Sequence, residues 1–437
     1  MSDSPSQNRL LPILMVNFIG VLGYSVVMPI LIFMVRDLGG NALLYGALGA
    51  VYPFFQFFGA PRLGKLSDRI GRKRVLLLSQ GGTLLAWILF ITALLLPKWT
   101  LWEGGQSDSY VMTVPLALIF LARMLDGYTG GNVSVANAYL ADVTDENDRE
   151  ANFGKMASAS SLGMVIGPAF AGLLASTVLG TLLPVIAAAV ISLIALFVIQ
   201  YRMYENRPCE GPIREGKAKS IRQFFQVEQK DCYTNNEASE AKTTWSEVLA
   251  IKGMPVMFAV YFLTWLAFSF YYLGMPLYVS DDLGWTTTEL GLFLTGTSLI
   301  MILFQGPVLR WLSKHRSPQW ILISGAVILT IGFGVIATGK LPLIILAGIL
   351  LAAGNGIMWP TYLSQLSRMG TPQVQGAVQG YASSLGSVAS MIGMLGGGLL
   401  YAELHTQLFA LSSLLFAILL VLLLLPKDRT PKLTQPV

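Results

Sequence analysis

Arg123 and Asp126 stand three residues apart in Leu121-Ala122-Arg123-Met124-Leu125-Asp126-Gly127-Tyr128-Thr129-Gly130-Gly131-Asn132, inside an apolar run over residues 112–140. A charged side chain at the centre of a membrane helix costs about 2.5–3.5 kcal/mol on insertion scales, so its presence there calls for a partner or a task. At this spacing the two side chains share a helix face and can pair. Two roles fit: a neutralised structural ion pair, or a proton or substrate relay facing a cavity. Asp126 is the only clearly intramembrane carboxylate, because Glu289 and Glu403 fall near the ends of apolar runs.

Two further groups have meaningful spacing. In Gly64-Lys65-Leu66-Ser67-Asp68-Arg69-Ile70-Gly71-Arg72-Lys73-Arg74, between apolar runs at 41–63 and 75–96, one acid sits among bases; six Lys/Arg lie from Arg62 to Arg74. A topology anchor accounts for the bases. It does not account for Gly64, Asp68, Arg69, Gly71 and Arg72. The glycines permit close approach and a tight turn, and Asp68 can pair with Arg72, with a neighbouring base or with a helix N-terminus. In Ser161-Leu162-Gly163-Met164-Val165-Ile166-Gly167-Pro168-Ala169-Phe170-Ala171-Gly172, small residues let the fifth and eighth helices pack backbone to backbone, and Pro168 frees a carbonyl and bends its helix.

The elements that carry these groups follow from composition. The 437 residues are 54% hydrophobic and 12% charged, about half the charge of a soluble domain, which carries about 25%. Apolar runs near 11–35, 41–63, 75–96, 112–140, 153–177, 179–201, 254–279, 287–311, 319–338, 342–366, 376–401 and 406–425 are long enough to span a bilayer. They are continuous rather than alternating, which selects helices over barrel strands. The prediction is an all-α membrane protein of twelve transmembrane helices in two pseudo-symmetric six-helix bundles. Residues 1–201 form the first bundle, 202–250 a cytoplasmic linker, 251–425 the second bundle and 426–437 a cytoplasmic tail. Ile221–Val227 is a candidate short surface helix within the linker.

A shift of 226 residues pairs Gly154 with Gly380, Gly167 with Gly393, and Gly172-Leu173 with Gly398-Leu399. Ala-Ser-Ser-Leu-Gly recurs at 159–163 and 382–386, three residues off that register. Such a repeat implies two halves packed face to face around a midplane pathway.

With both termini cytoplasmic, only Arg36, Lys98 and Lys340 fall outside, while Arg9, the hairpin bases and nine bases in 202–252 fall inside. That asymmetry sets orientation and explains the net charge of +5 without nucleic acid. The first ten residues lack a basic n-region, so the first helix is expected to act as an uncleaved insertion signal. Cys209 and Cys232 fall in the predicted cytoplasmic linker, where a disulfide is not expected, and with His315 and His405 as the only histidines no metal spacing exists. No Walker loop is present, which disfavours an ATP-driven pump, and an enzyme is not expected.

The hairpin resembles the helix 2–3 loop of the major facilitator superfamily, G-x-L-x-D-R-x-G-R-(K/R). Arg123 matches the Arg of that family's helix-4 motif, and Gly163, Gly167, Pro168 and Gly172 match its helix-5 antiporter motif. Ala138-Tyr139-Leu140-Ala141-Asp142-Val143-Thr144-Asp145 with Arg149, Phe153 and Gly154 resembles tetracycline-efflux-type drug:proton antiporters. So does Gln375-Gly376-Ala377-Val378-Gln379-Gly380, and Gly23–Pro29 does in part. The resemblance implies proton-coupled export of a small amphipathic organic molecule by alternating access, with the hairpin as a gate that latches the outward-facing state. It implies a multi-pass plasma (inner) membrane protein, monomeric, whose partners are substrate and lipid and whose driving force is a proton gradient rather than a cofactor.

Two departures matter. Gly20 stands where the tetracycline exporters carry a helix-1 acid, which shifts any proton coupling to Asp126. The corresponding second-half loop, Gln305–Arg316, keeps a glycine and bases but has no acid. The missing helix-1 acid also favours the alternative, a uniporter or symporter for a metabolite such as a sugar or organic acid. Yet Tyr201–Arg207 lacks the PESPR-like signature of sugar porters. Polar and aromatic residues within apolar runs are assigned to the cavity: Asn17, Tyr24, Gln56, Asn132, Tyr261, Trp265, Asn355 and Trp359.

Overall fold

The computed structural model describes residues 7–104, 110–130, 132–144, 149–205, 245–369 and 372–424. The candidate helix Ile221–Val227, both cysteines, most of the linker and the tail lie outside the described residues. So do the side chains of Asp68, Arg69 and Asn132.

Ten described helical segments are long and apolar enough to cross a membrane. The first is Leu10–Asp37, followed by Ala42–Gly64, Arg72–Leu95, Ser158–Ala175 and Leu182–Arg202. The others are Met254–Asp281, Thr287–His315, Pro318–Ile336, Leu341–Leu366 and Val378–Leu424. The last of these is two helices, Pro372–Leu404 and Leu408–Leu424, joined by a single 3-10 turn at His405–Gln407. A further span falls between Arg72–Leu95 and Ser158–Ala175 in two shorter pieces, Val114–Thr129 and Asn132–Asp142. These account for the twelve expected helices, numbered spans 1–12 in chain order.

The break in span 4 corrects the expectation of one continuous helix over 112–140. Gly127, Gly130 and Gly131 crowd the break, and glycine is the weakest helix former after proline. Span 8 is also irregular: a π turn at Phe304–Val308, around Pro307, separates Thr287–Leu303 from Leu309–His315. Side-chain caps open several helices. Asn41 accepts from Leu44 N at 3.1 Å, Thr113 from Leu116 N at 3.4 Å, and Ser317 from Trp320 N at 3.3 Å.

The chain divides into two compact units. One takes in the described residues up to 205 together with Pro276–Thr295; the other takes in residues 245–275 and 296–424. The segment Pro276–Thr295 holds the end of span 7 and the start of span 8. In the first unit it meets span 1 through an ion pair between Arg36 and Asp281 and a 3.4 Å hydrogen bond from Arg36 Nη1 to Ser280 Oγ.

One element was not anticipated. Between spans 3 and 4, β1 (Thr100–Gly104) pairs antiparallel with β2 (Tyr110–Thr113), with an irregularity between Thr100 and Trp102. The aromatic and β-branched residues of Trp99–Trp102 and Tyr110–Thr113 were its signal.

Candidate functional site

The glycines of span 5 fix its distance from its neighbours. A Cβ on Gly163 would stand 2.8 Å from Phe18 O, and one on Gly167 would collide with Ser25 Oγ. Ser25 Oγ donates to Gly163 O at 2.8 Å. These two glycines therefore seat span 5 on span 1, not on span 8 as the motif suggested. Of the three glycines Gly172 is the one that meets span 8: its Cβ would lie 3.1 Å from Gly291 Cα, and Thr288 Oγ1 donates to Gly172 O at 3.4 Å. Pro168 lies inside the helix and is buried. Asn17, read as cavity-lining, is used in the same joint. Its Nδ2 donates to Met156 O at 3.1 Å and to Ser160 Oγ at 2.5 Å, and the residue is 7% exposed.

Against that frame span 4 carries the buried charges. Arg123 and Asp126 are 2% and 6% exposed, and Asp126 is the one buried carboxylate among the described residues. They share a face as the spacing requires, but no ion pair joins them among the described residues. Asp126 Oδ1 instead accepts from Thr83 Oγ1 on span 3 at 2.9 Å. The Arg123 guanidinium lies 4.9 Å from the Tyr52 ring centroid and 5.9 Å from that of Tyr24, with the two rings 5.5 Å apart. A desolvated cation–π contact is worth about 2 kcal/mol. Nε and Nη2 of Arg123 are buried without a hydrogen-bond partner among the described residues. Those two nitrogens form one edge of the planar fork, the edge that receives a carboxylate in two parallel hydrogen bonds. A buried cation with that edge unused is poised to exchange partners.

Gln56 borders this cluster, donating through Nε2 to Tyr52 Oη at 3.4 Å and to Gly130 O at 3.3 Å. Spans 2 and 4 are close enough here that a Cβ on Gly127 would stand 2.5 Å from Tyr52 O. Tyr52 and Thr83 escaped the sequence reading. Tyr52 looks like one more aromatic in an apolar run, and Thr83 reaches Asp126 only through the packing of span 3 on span 4.

The second unit holds the other predicted residues. Tyr261 and Trp359 have ring centroids 5.4 Å apart, Trp265 and Trp359 5.9 Å, and Trp359 stacks on Tyr362 at 5.7 Å. Tyr362 Oη donates to Met257 O at 2.8 Å. Tyr261, Trp265 and Trp359 remain partly exposed, and Trp265 Nε1 is buried without a partner among the described residues. Asn355 Nδ2 lies 3.5 Å from Met301 Sδ.

The hairpin between spans 2 and 3 turns on a single residue. Span 2's helix ends at Ile70 and span 3's begins at Arg72, with Gly71 between them at φ +104°. That backbone region favours glycine, and a Cβ there would strike the Glu205 carboxylate. Gly64 is different: a Cβ on it would meet nothing within 4 Å, so no close approach explains it. Arg72, 7% exposed, pairs with Asp142 at 3.0 Å and donates from Nη1 to Ser67 Oγ at 2.6 Å. Glu205 Oε1 accepts from Lys73 N at 3.1 Å, and Lys73 Nζ donates to Gln200 O at 2.7 Å. Asp142 and Glu205 thus brace the hairpin from the ends of spans 4 and 6. Of these, only Asp142 stood in a quoted motif, and with no partner assigned.

A cavity of about 610 Å³ lies elsewhere in the first unit, lined by Phe33, Arg36, Asp37, Leu179, Trp285 and Thr286 among others. It contains none of the predicted site residues.

Over 393 residues, covering 89% of each chain, the protein is 29% identical to the class C tetracycline resistance protein of Escherichia coli. It is 23% identical over 401 residues to multidrug resistance protein 2 of Bacillus subtilis (strain 168), covering 90% of this chain and 89% of the relative. In fold it is similar to the human organic anion transporter MFSD10 (TETRAN), with a TM-score of 0.66 at 19% identity, covering 96% of this chain and 100% of that one. The Major Facilitator Superfamily matches at residues 13–278 and again at 257–436. Twelve spans, a glycine-built span 5 and a hairpin turned on Gly71 are thus the features of a multi-pass membrane protein that belongs to the Major Facilitator Superfamily.

Proposed function

We propose that this protein is a proton-coupled exporter of a small amphipathic organic molecule, working by alternating access in the plasma (inner) membrane with both termini cytoplasmic. The observation that carries the reading is Asp126, the one buried carboxylate among the described residues, set beside a buried arginine with an unused edge. Its similarity over most of its length to tetracycline and multidrug resistance proteins supports export as the direction.

In this mechanism a proton on Asp126 removes a buried negative charge and leaves Arg123 the only charge in the cluster. Loss of the proton restores a carboxylate that can leave Thr83 for the Nε and Nη2 edge. Each change alters the cost of exposing span 4 to water, which biases the equilibrium between the two access states. Tyr24 and Gln56 within the first unit, and Tyr261, Trp265 and Trp359 within the second, each offer aromatic faces with sparse polar groups, the chemistry that suits amphipathic ligands. Asn355 adds an amide to the second unit's set. The hairpin Gly64–Arg74, whose sequence includes Asp68 and Arg69, serves as a gate.

The test uses proteoliposomes with an imposed pH gradient and tetracycline and ethidium as probes. Wild-type protein is expected to move at least one probe against its gradient, and Asp126→Asn to abolish that dependence while facilitated exchange remains. Gradient-driven transport unchanged in Asp126→Asn overturns the coupling role. Asp68→Asn is expected to slow cycling with little loss of probe binding.

A further inference from the structure

The β1–β2 hairpin between spans 3 and 4 has a surface that the transport reading does not use. Trp99 is 61% exposed, Leu101 60% and Trp102 60%. Leu101 and Trp102 belong to β1, and Trp99 directly precedes it. In a regular strand Leu101 and Trp102 would point to opposite faces. The irregularity between Thr100 and Trp102 interrupts that alternation, and a bulge of this kind re-aims side chains.

A two-stranded hairpin is only marginally stable in water unless something packs against it. Its ties to the rest of the unit run through β2 and through the backbone of Trp99, whose carbonyl accepts from Val114 N at 2.8 Å. Val111 N donates to Gly39 O at 3.0 Å, Thr113 Oγ1 donates to Leu38 O at 3.0 Å, and Val111 packs on Gly39. The surface of the Trp99, Leu101 and Trp102 side chains nonetheless stays largely exposed. It continues the apolar surface of span 3, whose last residue, Leu95, is 68% exposed. Lys98 and Glu103 flank it and are exposed.

We infer that this hairpin is an interfacial anchor whose Trp99, Leu101 and Trp102 side chains sit in the lipid headgroup layer at the end of span 3. Tryptophan suits that layer because its ring is apolar while its N–H still finds a polar partner. Lys98 adds a cation that can reach lipid phosphate, its aliphatic stem lying along the apolar surface. Continuity with a membrane-facing helix favours lipid over a protein partner. The hairpin is also part of a lever: through Val111 and Thr113 of β2 it holds the turn at the end of span 1. The inference is independent of what the protein transports.

The test places a nitroxide at Leu101→Cys in full-length protein carrying Cys209→Ser and Cys232→Ser, reconstituted one copy per nanodisc. Collision with oxygen is expected to exceed collision with a water-soluble nickel chelate, whereas a control label at Lys340→Cys shows the reverse. A second measurement needs no label. The fluorescence lost in the Trp99→Phe, Trp102→Phe double variant should be the part quenched most by lipids brominated near the headgroup. A label at 101 as accessible to the nickel chelate as the one at 340 overturns the anchor. Fluorescence from Trp99 and Trp102 that brominated lipid leaves unquenched also overturns it, and would mark the strand as a surface for a protein partner or a second copy.

Discussion

The two units share joints but not charges. In the first, Gly167 of span 5 admits Ser25 of span 1; in the second, Gly393 of span 11 admits Ser269 of span 7, whose Cβ would lie 2.5 Å from an added methyl. Gly163 packs on the backbone of Phe18 and Leu22 in span 1, and Gly386 on the rings of Tyr261 and Trp265 in span 7. Sequence and structure therefore repeat the same helix contacts. The buried chemistry does not repeat. Arg72, Arg123 and Asp126 are buried in the first unit, while the buried polar residues of the second, among those described, are Thr264, Ser269, Thr361 and Ser412. A duplicated scaffold has kept its packing and concentrated its charge on one side. Small-residue joints are needed wherever two helices touch; a buried charge is costly and is retained only where it is used.

Removing charge from each unit should break that contrast most visibly. Arg123→Leu leaves Asp126 without its compensating charge and is expected to cost about 3–5 kcal/mol. Arg310→Ala, at an exposed site in the second unit, should stay within about 0.5 kcal/mol. Thermal unfolding in nanodiscs measures both, and equal losses would end the claim that the charge is one-sided. The glycine joints come next. Gly167→Val and Gly393→Val should each cost about 1–3 kcal/mol through overpacking. The loss should be larger at Gly167, where an added Cβ collides with Ser25 Oγ and stands 2.8 Å from backbone, against 3.1 Å from backbone at Gly393. A Gly393→Val protein less stable than Gly167→Val would show that the two joints are not equivalent. Thr83→Val should cost about 1.5–3 kcal/mol if its hydroxyl bonds a charged carboxylate, and Thr83→Ser should recover most of it. A neutral effect would mean that Asp126 finds Arg123 instead at no cost. Gly64→Ala is the smallest: a helix interior with open space should gain about 0.5–1 kcal/mol. A loss of stability there would reveal a neighbour that the surrounding helices do not show.

Much of this was readable from residue types. Runs of apolar residues located the spans because the bilayer sets their length, and the glycine and proline spacing of 163–172 announced a close helix contact. Which helix it touches was not readable, since a small residue says that something is near and not what. Span 5 therefore meets span 1 at Gly163 and Gly167 and span 8 at Pro168 and Gly172. Spacing put Arg123 and Asp126 on one face but could not tell that a threonine forty-three positions earlier holds the carboxyl. The strands at 100–113 were missed because a short aromatic segment between spans reads as an interfacial belt whether or not it pairs. The break in span 4 was visible as three glycines, and the length of the apolar run around them hid it.

The turn at Gly71 has a mechanical consequence. A loop of several residues absorbs motion, because each added residue brings two more soft torsions. One residue held at positive φ, with its neighbours already helical and Arg72 and Lys73 fastened to Asp142 and Glu205, has almost no torsional slack. Spans 2 and 3 are therefore a single stiff crank. A tilt imposed on either must appear in the other and at the feet of spans 4 and 6. A single glycine inserted after Gly71 would add the missing slack without removing any contact, so that binding and fold survive while the two helices stop moving together.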